Sequence, residues 1–196
     1  GAPYLDGSPK QSGHIHEAIR QKLSLDDKKP YVLVATSGPG NTISHEHHAQ
    51  IIETLCHVSL KLPHVQFVVK LHRKDHLEYY QQVLTRLPDA KLHIVAYGAE
   101  GYPGDIFDLL QGSDLLLTGA SSVAVEAMLM DVPVITMDFA DEIAATDFIT
   151  QGATTHVTTP KHLFETVEAI VDSTEGAASA RDRSQDYLHS MFHSHD

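Results

Sequence analysis

The stretch "DLLLTGASSVAVEAMLMDVPVITMD", residues 114–138, decides the fold of this chain. It opens with a short apolar run (114–118), passes through small residues into an apolar segment of helical length (121–130), and closes with a second apolar run (132–138). Short apolar runs separated by a helix are typical of parallel strands that are buried on both faces. The stretch therefore predicts a strand, a helix and a second, parallel strand of one sheet.

The same alternation extends in both directions along the chain. Its clearest examples are the β-branched run "YVLVATS" (31–37) and the amphipathic spacing from Ser44 to Leu62, which Pro63 ends. The further predicted strands are 65–71, 91–96 and 155–157, and the further predicted helices are 16–23, 75–87, 104–111, 160–173 and about 180–192. The pattern predicts an α/β fold with a doubly wound, mostly parallel, six-stranded Rossmann-like sheet.

Composition narrows the class of protein. At 196 residues with 42% hydrophobic content, we expect a linker over residues 1–12 and a single domain over 13–196. The formal charge of −12 argues against nucleic acid as a partner, so any phosphate must be bound by a few local groups.

Cys56, the lone cysteine, is expected to pack inertly and suits a reducing compartment. No run reaches the roughly 18 apolar residues of a membrane-spanning helix, and the N-terminus lacks a signal-peptide pattern.

Two loops rich in Gly, Ser and Thr follow predicted strands, at 36–42 ("TSGPGNT") and 118–122 ("TGASS"). In a doubly wound sheet, ligands bind where the strand order reverses, which places these two loops side by side. Small residues and backbone amides there favour a phosphate. The candidate ligand-binding residues are Ser37, Gly38, Gly40, Asn41, Ser121 and Ser122. Ordinary strand-to-helix turns, with Ser122 as a helix N-cap, are the alternative, and neither loop matches a dinucleotide or P-loop motif.

Glu126 is the lone acid in the apolar segment 121–130. It either complements the helix dipole from the first turn or accepts hydrogen bonds from the ribose of a nucleotide. Because a carboxylate among apolar residues needs a partner, we favour the ribose.

His72 follows a predicted strand near the same edge, between Lys70 and Arg73. A bound phosphate there raises the pKa of the imidazole and favours its charged form. The alternative is an exposed histidine at a strand end.

The other polar clusters carry weaker signals. The histidines of "HEHH" (45–48) and "HSHD" (193–196) lack metal-ligand spacing, so we expect a solvated surface and no metal site. The acids Asp138, Asp141 and Glu142, which follow a predicted strand on the same edge of the sheet, are interpreted either as solvated or as functional contacts.

Residues 104–139 ("GDIFDLLQGSDLLLTGASSVAVEAMLMDVPVITMDF") resemble the nucleotide-binding C-terminal half of GT-B-fold glycosyltransferases. The pair of serines followed by an acid is most similar to capsule-type glycosyltransferases and CDP-glycerol glycerophosphotransferases. "FVVKLHRKD" (67–75) and "GAPYLDGS" (1–8) are similar to other segments of that group. UDP-N-acetylglucosamine 2-epimerases share the fold, but their Asp-Ser-Gly-Gly motif is replaced here by residues 118–121. Thr118 also stands where a Glu-x7-Glu transferase has an acid.

The resemblance implies roles for individual residues. Ser121 and Ser122 bind the donor phosphates, Glu126 binds the ribose, and His72 acts as the catalytic contact to a phosphate oxygen or the leaving group. Tyr97 or Tyr102, in the loop 96–103, stacks on the base.

The resemblance also implies a function for the chain. It is the donor-binding half of a transferase of polysaccharide synthesis that uses a UDP-, CDP- or GDP-linked donor as substrate and no further cofactor. An N-terminal acceptor-binding domain of the same protein is its partner, helix 180–192 packs back across the hinge, and the isolated half turns over poorly. The location is cytoplasmic, with the inner face of the membrane as a possible peripheral site. The alternatives are a noncatalytic nucleotide-binding scaffold and half of a 2-epimerase.

Overall fold

The computed structural model describes residues 17–40, 42–96, 105–143 and 145–193. Six strands form one sheet: β1 (Tyr31–Ala35), β2 (Gln66–Lys70), β3 (Leu92–Val95), β4 (Leu115–Thr118), β5 (Val134–Met137) and β6 (Thr155–Val157). Every pairing is parallel, in the order β3-β2-β1-β4-β5-β6. The strand order reverses between β1 and β4, so the predicted fold class is confirmed.

Helices cover both faces of the sheet. They are α1 (17–22), α2 (His45–Lys61), α3 (Leu77–Arg86), α4 (Ile106–Gln111), α5 (Val123–Leu129), α6 (Asp147–Thr150), α7 (Pro160–Val171) and α8 (Thr174–His193). Alternate residues of β1 face opposite layers: Val32 and Val34 pack in the cluster with α2, α3 and α7, and Tyr31 and Leu33 in the cluster with α1, α4 and α5. This double burial explains why the strands are continuously apolar.

Side chains fix where several helices begin. Ser44 Oγ accepts the His47 N–H at the start of α2, and Asp105 Oδ1 accepts the N–H groups of Phe107 and Asp108 at α4. Thr159 caps α7, whose first residue is Pro160. These caps place the strand-to-helix loops at the carboxyl edge of the sheet.

Two details differ from the sequence prediction. Helix α8 begins at Thr174 rather than near 180, and α6 was not predicted. Helix α8 also packs on α5 and α7 of its own domain, with Tyr187 and Leu188 buried. The proposed linker over 1–12 lies outside the described residues.

Two further predictions meet the coordinates. Cys56 is fully buried, as expected for a packing residue. Within the described ranges, no helix has the length and apolar character needed to cross a membrane.

Candidate functional site

The loops after β1 and β4 lie side by side, as the sequence predicts. Thr118 Oγ1 donates to the Ala35 carbonyl over 3.2 Å, and an added Cβ at Gly119 would lie 3.8 Å from Ser37 Oγ. Thr118 is fully buried, so the position that bears an acid in Glu-x7-Glu transferases has a structural role here. The loops after β1 and β4 are therefore neighbours, as the predicted site requires.

A cavity of about 20 Å³ lies beneath this contact, lined among others by Ser37, His48, Tyr80, Gly119 and Ile143. It has room for about one water molecule. This cavity is therefore too small to enclose a nucleotide. A larger cavity of about 420 Å³ opens at the opposite edge of the sheet, where its lining includes Lys29, Gln66 and Lys91.

The loop after β1 needs both of its glycines. Gly38 and Gly40 have φ of 68° and 83°, in the left-handed region that side chains disfavour. A Cβ at Gly38 would also lie 2.9 Å from the carbonyl carbon of Lys74, so this loop touches the turn after β2. The structure gives Gly38 a packing role, and its role in phosphate binding stays a prediction. Asn41 lies outside the described residues.

The end of β2 and the turn after it carry a cluster of donors, which we call the basic turn: Lys70, His72, Arg73 and Lys74. The His72 N–H donates to Thr36 Oγ1 over 3.1 Å, which ties this turn to the loop after β1. Among the residues that the structure describes, none of the three cations of the basic turn forms an ion pair. In a chain of net charge −12, this is a local concentration of unpaired positive charge at the carboxyl edge.

His72 is a neutral donor in the free protein. The Lys74 N–H donates to His72 Nδ1 over 3.2 Å, which assigns the ring proton to Nε2. Burial lowers the pKa of His72, and the charges of Arg73, Lys70 and Lys74 lower it further, against the opposite effect of Asp75. The charged form that we expected with phosphate is thus disfavoured before a ligand arrives.

A buried network stands behind the basic turn. Asp75 accepts the Tyr80 hydroxyl over 2.8 Å, and His48 Nε2 lies 3.0 Å from its other oxygen, although the ring N–H is not aligned for a hydrogen bond. Burial acts to raise the pKa of Asp75, but its polar neighbours His48, Thr36 and Tyr80 outweigh burial and lower it. The network anchors the turn to α2 and α3.

The expectation that "HEHH" is a solvated surface was wrong for two of its histidines. His47 and His48 are 0% and 3% exposed, and only His45 and Glu46 face solvent. The signal was present in the spacing, because His48, Ile52 and Leu55 recur at helical intervals on the buried face of α2. Within the described part of the chain, no cluster of three or more His, Cys, Asp or Glu side chains could hold a metal ion.

Two of the three acids after β5, Asp138 and Glu142, hold backbone N–H groups, whereas Asp141 is solvated. Asp138 is 3% exposed, and its carboxylate accepts the N–H groups of Ala140, Glu142 and Ile143. Glu142 Oε2 accepts the Ser44 N–H over 2.7 Å. Asp141 is exposed, with φ of 55°. These contacts fix the loop 138–143 beside the loops after β1 and β4.

The residues after β4 remain available to a ligand. Ser122 occupies the N-cap position of α5, but its side chain makes no capping bond, and it is exposed. Ser121 Oγ makes only a long contact of 3.4 Å with the Val123 N–H. Glu126 is half-buried, and its carboxylate has no hydrogen bond or ion pair to any described residue. The roles of Ser121, Ser122 and Glu126 stay predictions. Tyr97 and Tyr102 lie outside the described residues.

The strand order β3-β2-β1-β4-β5-β6, with loops that meet at the β1–β4 reversal, defines a Rossmann-like α/β fold. The chain belongs to the UDP-N-acetylglucosamine 2-epimerase family, whose model matches residues 1–191. None of the curated proteins matches the sequence significantly. The family match gives the epimerase interpretation more weight than the missing Asp-Ser-Gly-Gly motif suggested.

Solved structures agree on the fold. The wall teichoic acid polymerase TagF, soaked with CDPG, is similar with a TM-score of 0.67 and 14% identity, over 92% of this chain and 41% of that protein. WaaG, a glycosyltransferase involved in lipopolysaccharide biosynthesis, gives 0.64 and 17%, over 95% of this chain and 48% of WaaG. A putative UDP-N-acetylglucosamine 2-epimerase from Listeria monocytogenes gives 0.59 and 15%, over 100% and 50%. The chain thus spans half or less of the length of these three proteins.

Proposed function

We propose that this chain binds the diphosphate of a UDP-, CDP- or GDP-linked donor across the loops after β1 and β4 and the basic turn. The observation that carries this proposal is the basic turn itself. Its cations, unpaired within the described residues, lie at the edge where the strand order reverses, beside two loops in which the hydroxyls of Ser37, Ser121 and Ser122 donate to no described residue. A diphosphate matches that combination of charge and donors.

The chemistry that these groups supply is electrostatic. Glycosyl transfer breaks the bond between the sugar and the nucleoside diphosphate, whereas glycerol-phosphate transfer breaks the phosphoanhydride bond and releases a nucleoside monophosphate. In both cases the new bond forms to the acceptor, and negative charge develops on the departing phosphate. His72 Nε2–H, the cations of the basic turn and the hydroxyls of Ser121 and Ser122 are the donors that stabilise it. Glu126, without a described partner, accepts the hydroxyls of the ribose. No metal or further cofactor enters this proposal.

The reaction of the whole protein is proposed as transfer of a glycosyl or glycerol-phosphate unit in polysaccharide synthesis. In that scheme an N-terminal domain binds the acceptor and this half binds the donor. The chain alone binds nucleotide and turns over poorly. We place the protein in the cytoplasm, where such donors are made, with peripheral association at the inner membrane face.

A second candidate is favoured by the family match: half of a UDP-N-acetylglucosamine 2-epimerase. Both candidates share the nucleotide site and differ in the fate of the sugar. Incubating the protein that contains this chain with UDP-N-acetylglucosamine separates them. Formation of the manno epimer selects the epimerase, and transfer to an added acceptor selects the transferase.

Calorimetric titration of the chain with UDP, CDP, GDP and CMP tests the shared nucleotide site. We expect at least one diphosphate to bind, with weaker binding by Arg73→Ala and at raised salt. Arg86→Ala is the matched control, because Arg86 pairs with Glu53 at the far end of α3. No heat with any nucleotide at millimolar concentration contradicts the proposal, as does equal weakening by both arginine variants.

A further inference from the structure

We propose that His47 is a positioning residue that holds the loop 138–143, here called the β5 loop, against the nucleotide site. The inference deepens the function proposed above and rests on it. His47 itself is fully buried and reaches no ligand. Its effect must pass through the groups that it contacts.

Two hydrogen bonds join His47 to the β5 loop. The Phe139 N–H donates to His47 Nε2 over 3.0 Å, and His47 Nδ1 lies 3.3 Å from Glu142 Oε2. Because Nε2 accepts, the ring proton is on Nδ1, where it points to the Glu142 carboxylate. Both ring nitrogens of His47 therefore contact the β5 loop.

Helix α2 adds a second link to the same carboxylate. Glu142 Oε2 also accepts the Ser44 N–H over 2.7 Å, and Ser44 is the N-cap of α2. The His47 ring packs edge-on against Phe139, with ring centroids 6.2 Å apart. The first turn of α2 thus grips the β5 loop at both Phe139 and Glu142.

The β5 loop connects these contacts of α2 to the proposed nucleotide site. The Asp138 carboxylate accepts the Glu142 and Ile143 N–H groups over 3.0 Å each, so this part of the loop is held as one piece. At its end, Ile143 Cδ1 would lie 3.2 Å from a Cβ placed on Gly119. The loop therefore ends on the seam between the loops after β1 and β4.

Loss of the His47 bonds frees the β5 loop from this position. If the loop then lies in place for about a tenth of the time, the apparent Kd for a nucleotide rises about tenfold. A purely structural histidine lowers the melting temperature without this selective effect. The experiment therefore compares two substitutions of His47, one that removes its hydrogen bonds and one that can keep the bond to Phe139.

The experiment measures UDP affinity, using the full chain, for His47→Leu and His47→Gln. We expect His47→Leu to weaken binding about tenfold, and His47→Gln, whose amide oxygen can accept the Phe139 N–H, to stay within about threefold of the wild type. His57→Leu is the control, since His57 is an exposed histidine of the same helix. Hydrogen exchange adds a local readout: the Phe139 amide becomes fast in His47→Leu, while the Asp138 amide, bonded to Val157, does not.

The outcomes are distinguishable. If the wild type binds UDP and His47→Leu binds equally well, this inference is wrong and the proposed function stands. If the wild type binds no nucleotide, the proposed function fails and this inference with it. If His47→Leu does not fold, Glu142→Ala replaces it, because Glu142 is exposed and its side chain makes two of the three links between the first turn of α2 and the β5 loop, the His47 Nδ1 contact and the Ser44 bond. Unchanged UDP affinity in a folded Glu142→Ala variant then overturns the proposal.

Discussion

Gly38 lies directly against the backbone of Lys74, so that the loop after β1 and the basic turn form one continuous surface. A Cβ at Gly38 would come within 2.9 Å of both the carbonyl carbon and the carbonyl oxygen of Lys74. Backbone cannot move aside as a flexible side chain does. The close approach brings the main chain of the loop after β1 to the donors of the basic turn.

Gly38→Ala is predicted to lower the free energy of unfolding by about 2–4 kcal/mol. Roughly 1–2 kcal/mol comes from the left-handed backbone and the rest from overpacking against Lys74. Urea unfolding measures it. Gly152→Ala is the matched control, because Gly152 has φ of 71° but nothing within 4 Å of the added Cβ. Equal losses in the two variants would show that the contact with Lys74 carries no energy.

Asp75→Asn is predicted to destabilise the protein at pH 7 and to cost less in acid. The carboxylate accepts the Tyr80 hydroxyl in a buried network, and its pKa is held below the usual value despite burial. A lowered folded pKa stabilises the fold above the unfolded pKa of roughly 3.9, and this stabilisation is lost as the pH falls through the folded value. Urea unfolding at pH 7, 5 and 3 should show the gap between variant and wild type narrowing below about pH 4. A gap that is constant with pH argues against an ionised Asp75.

His72→Gln is predicted to weaken binding of UDP, and more strongly in acid. The pKa of His72 is lowered in the free protein by burial and the neighbouring cations, whereas a bound phosphate favours the charged ring. Binding then takes up a proton, so the ratio of wild-type to variant affinity should rise as the pH falls from 7.5 to 5.5. Because UDP titrates in the same way with both proteins, its own titration cancels in the ratio of their affinities. A ratio that is independent of pH would mean that His72 binds as the neutral donor.

Glu126→Gln is predicted to discriminate between the two interpretations of this acid. If the carboxylate accepts the ribose hydroxyls, UDP binding weakens by about 1–3 kcal/mol, and 2′-deoxy-UDP binding changes less. If Glu126 only complements the dipole of α5, stability falls by about 0.3–1 kcal/mol while nucleotide affinity is unchanged. Calorimetry with both nucleotides, and urea unfolding of the same variant, measure the two effects separately.

The sequence predicted the parts of this protein that depend on local pattern. Strands β1, β4 and β5 are nearly continuous in apolar residues, so their positions follow from burial on both faces. The side-by-side loops follow from the strand order alone. Ser37 and Gly119 are neighbours because β1 and β4 pair, although 82 residues separate them.

The sequence missed what depends on distant partners. Whether a histidine on a helix is solvated or buried depends on the groups that pack against it. For His47 these groups are Phe139 and Glu142, and for His48 the group is Asp75, all from loops that are distant in sequence. The start of α8 was missed because Gly176 lies in its first turn and lowers helix propensity. The structure explains that glycine, since a Cβ there would collide with the Ala169 carbonyl oxygen of α7.

The most direct test of the nucleotide site is an amide NMR titration of the chain with UDP and CDP. We predict that the large shift changes fall in three segments at the carboxyl edge of the sheet, 36–40, 70–74 and 118–122. Changes centred instead on the cavity of about 420 Å³ around Lys29, Gln66 and Lys91 would contradict the account, as would no change at all.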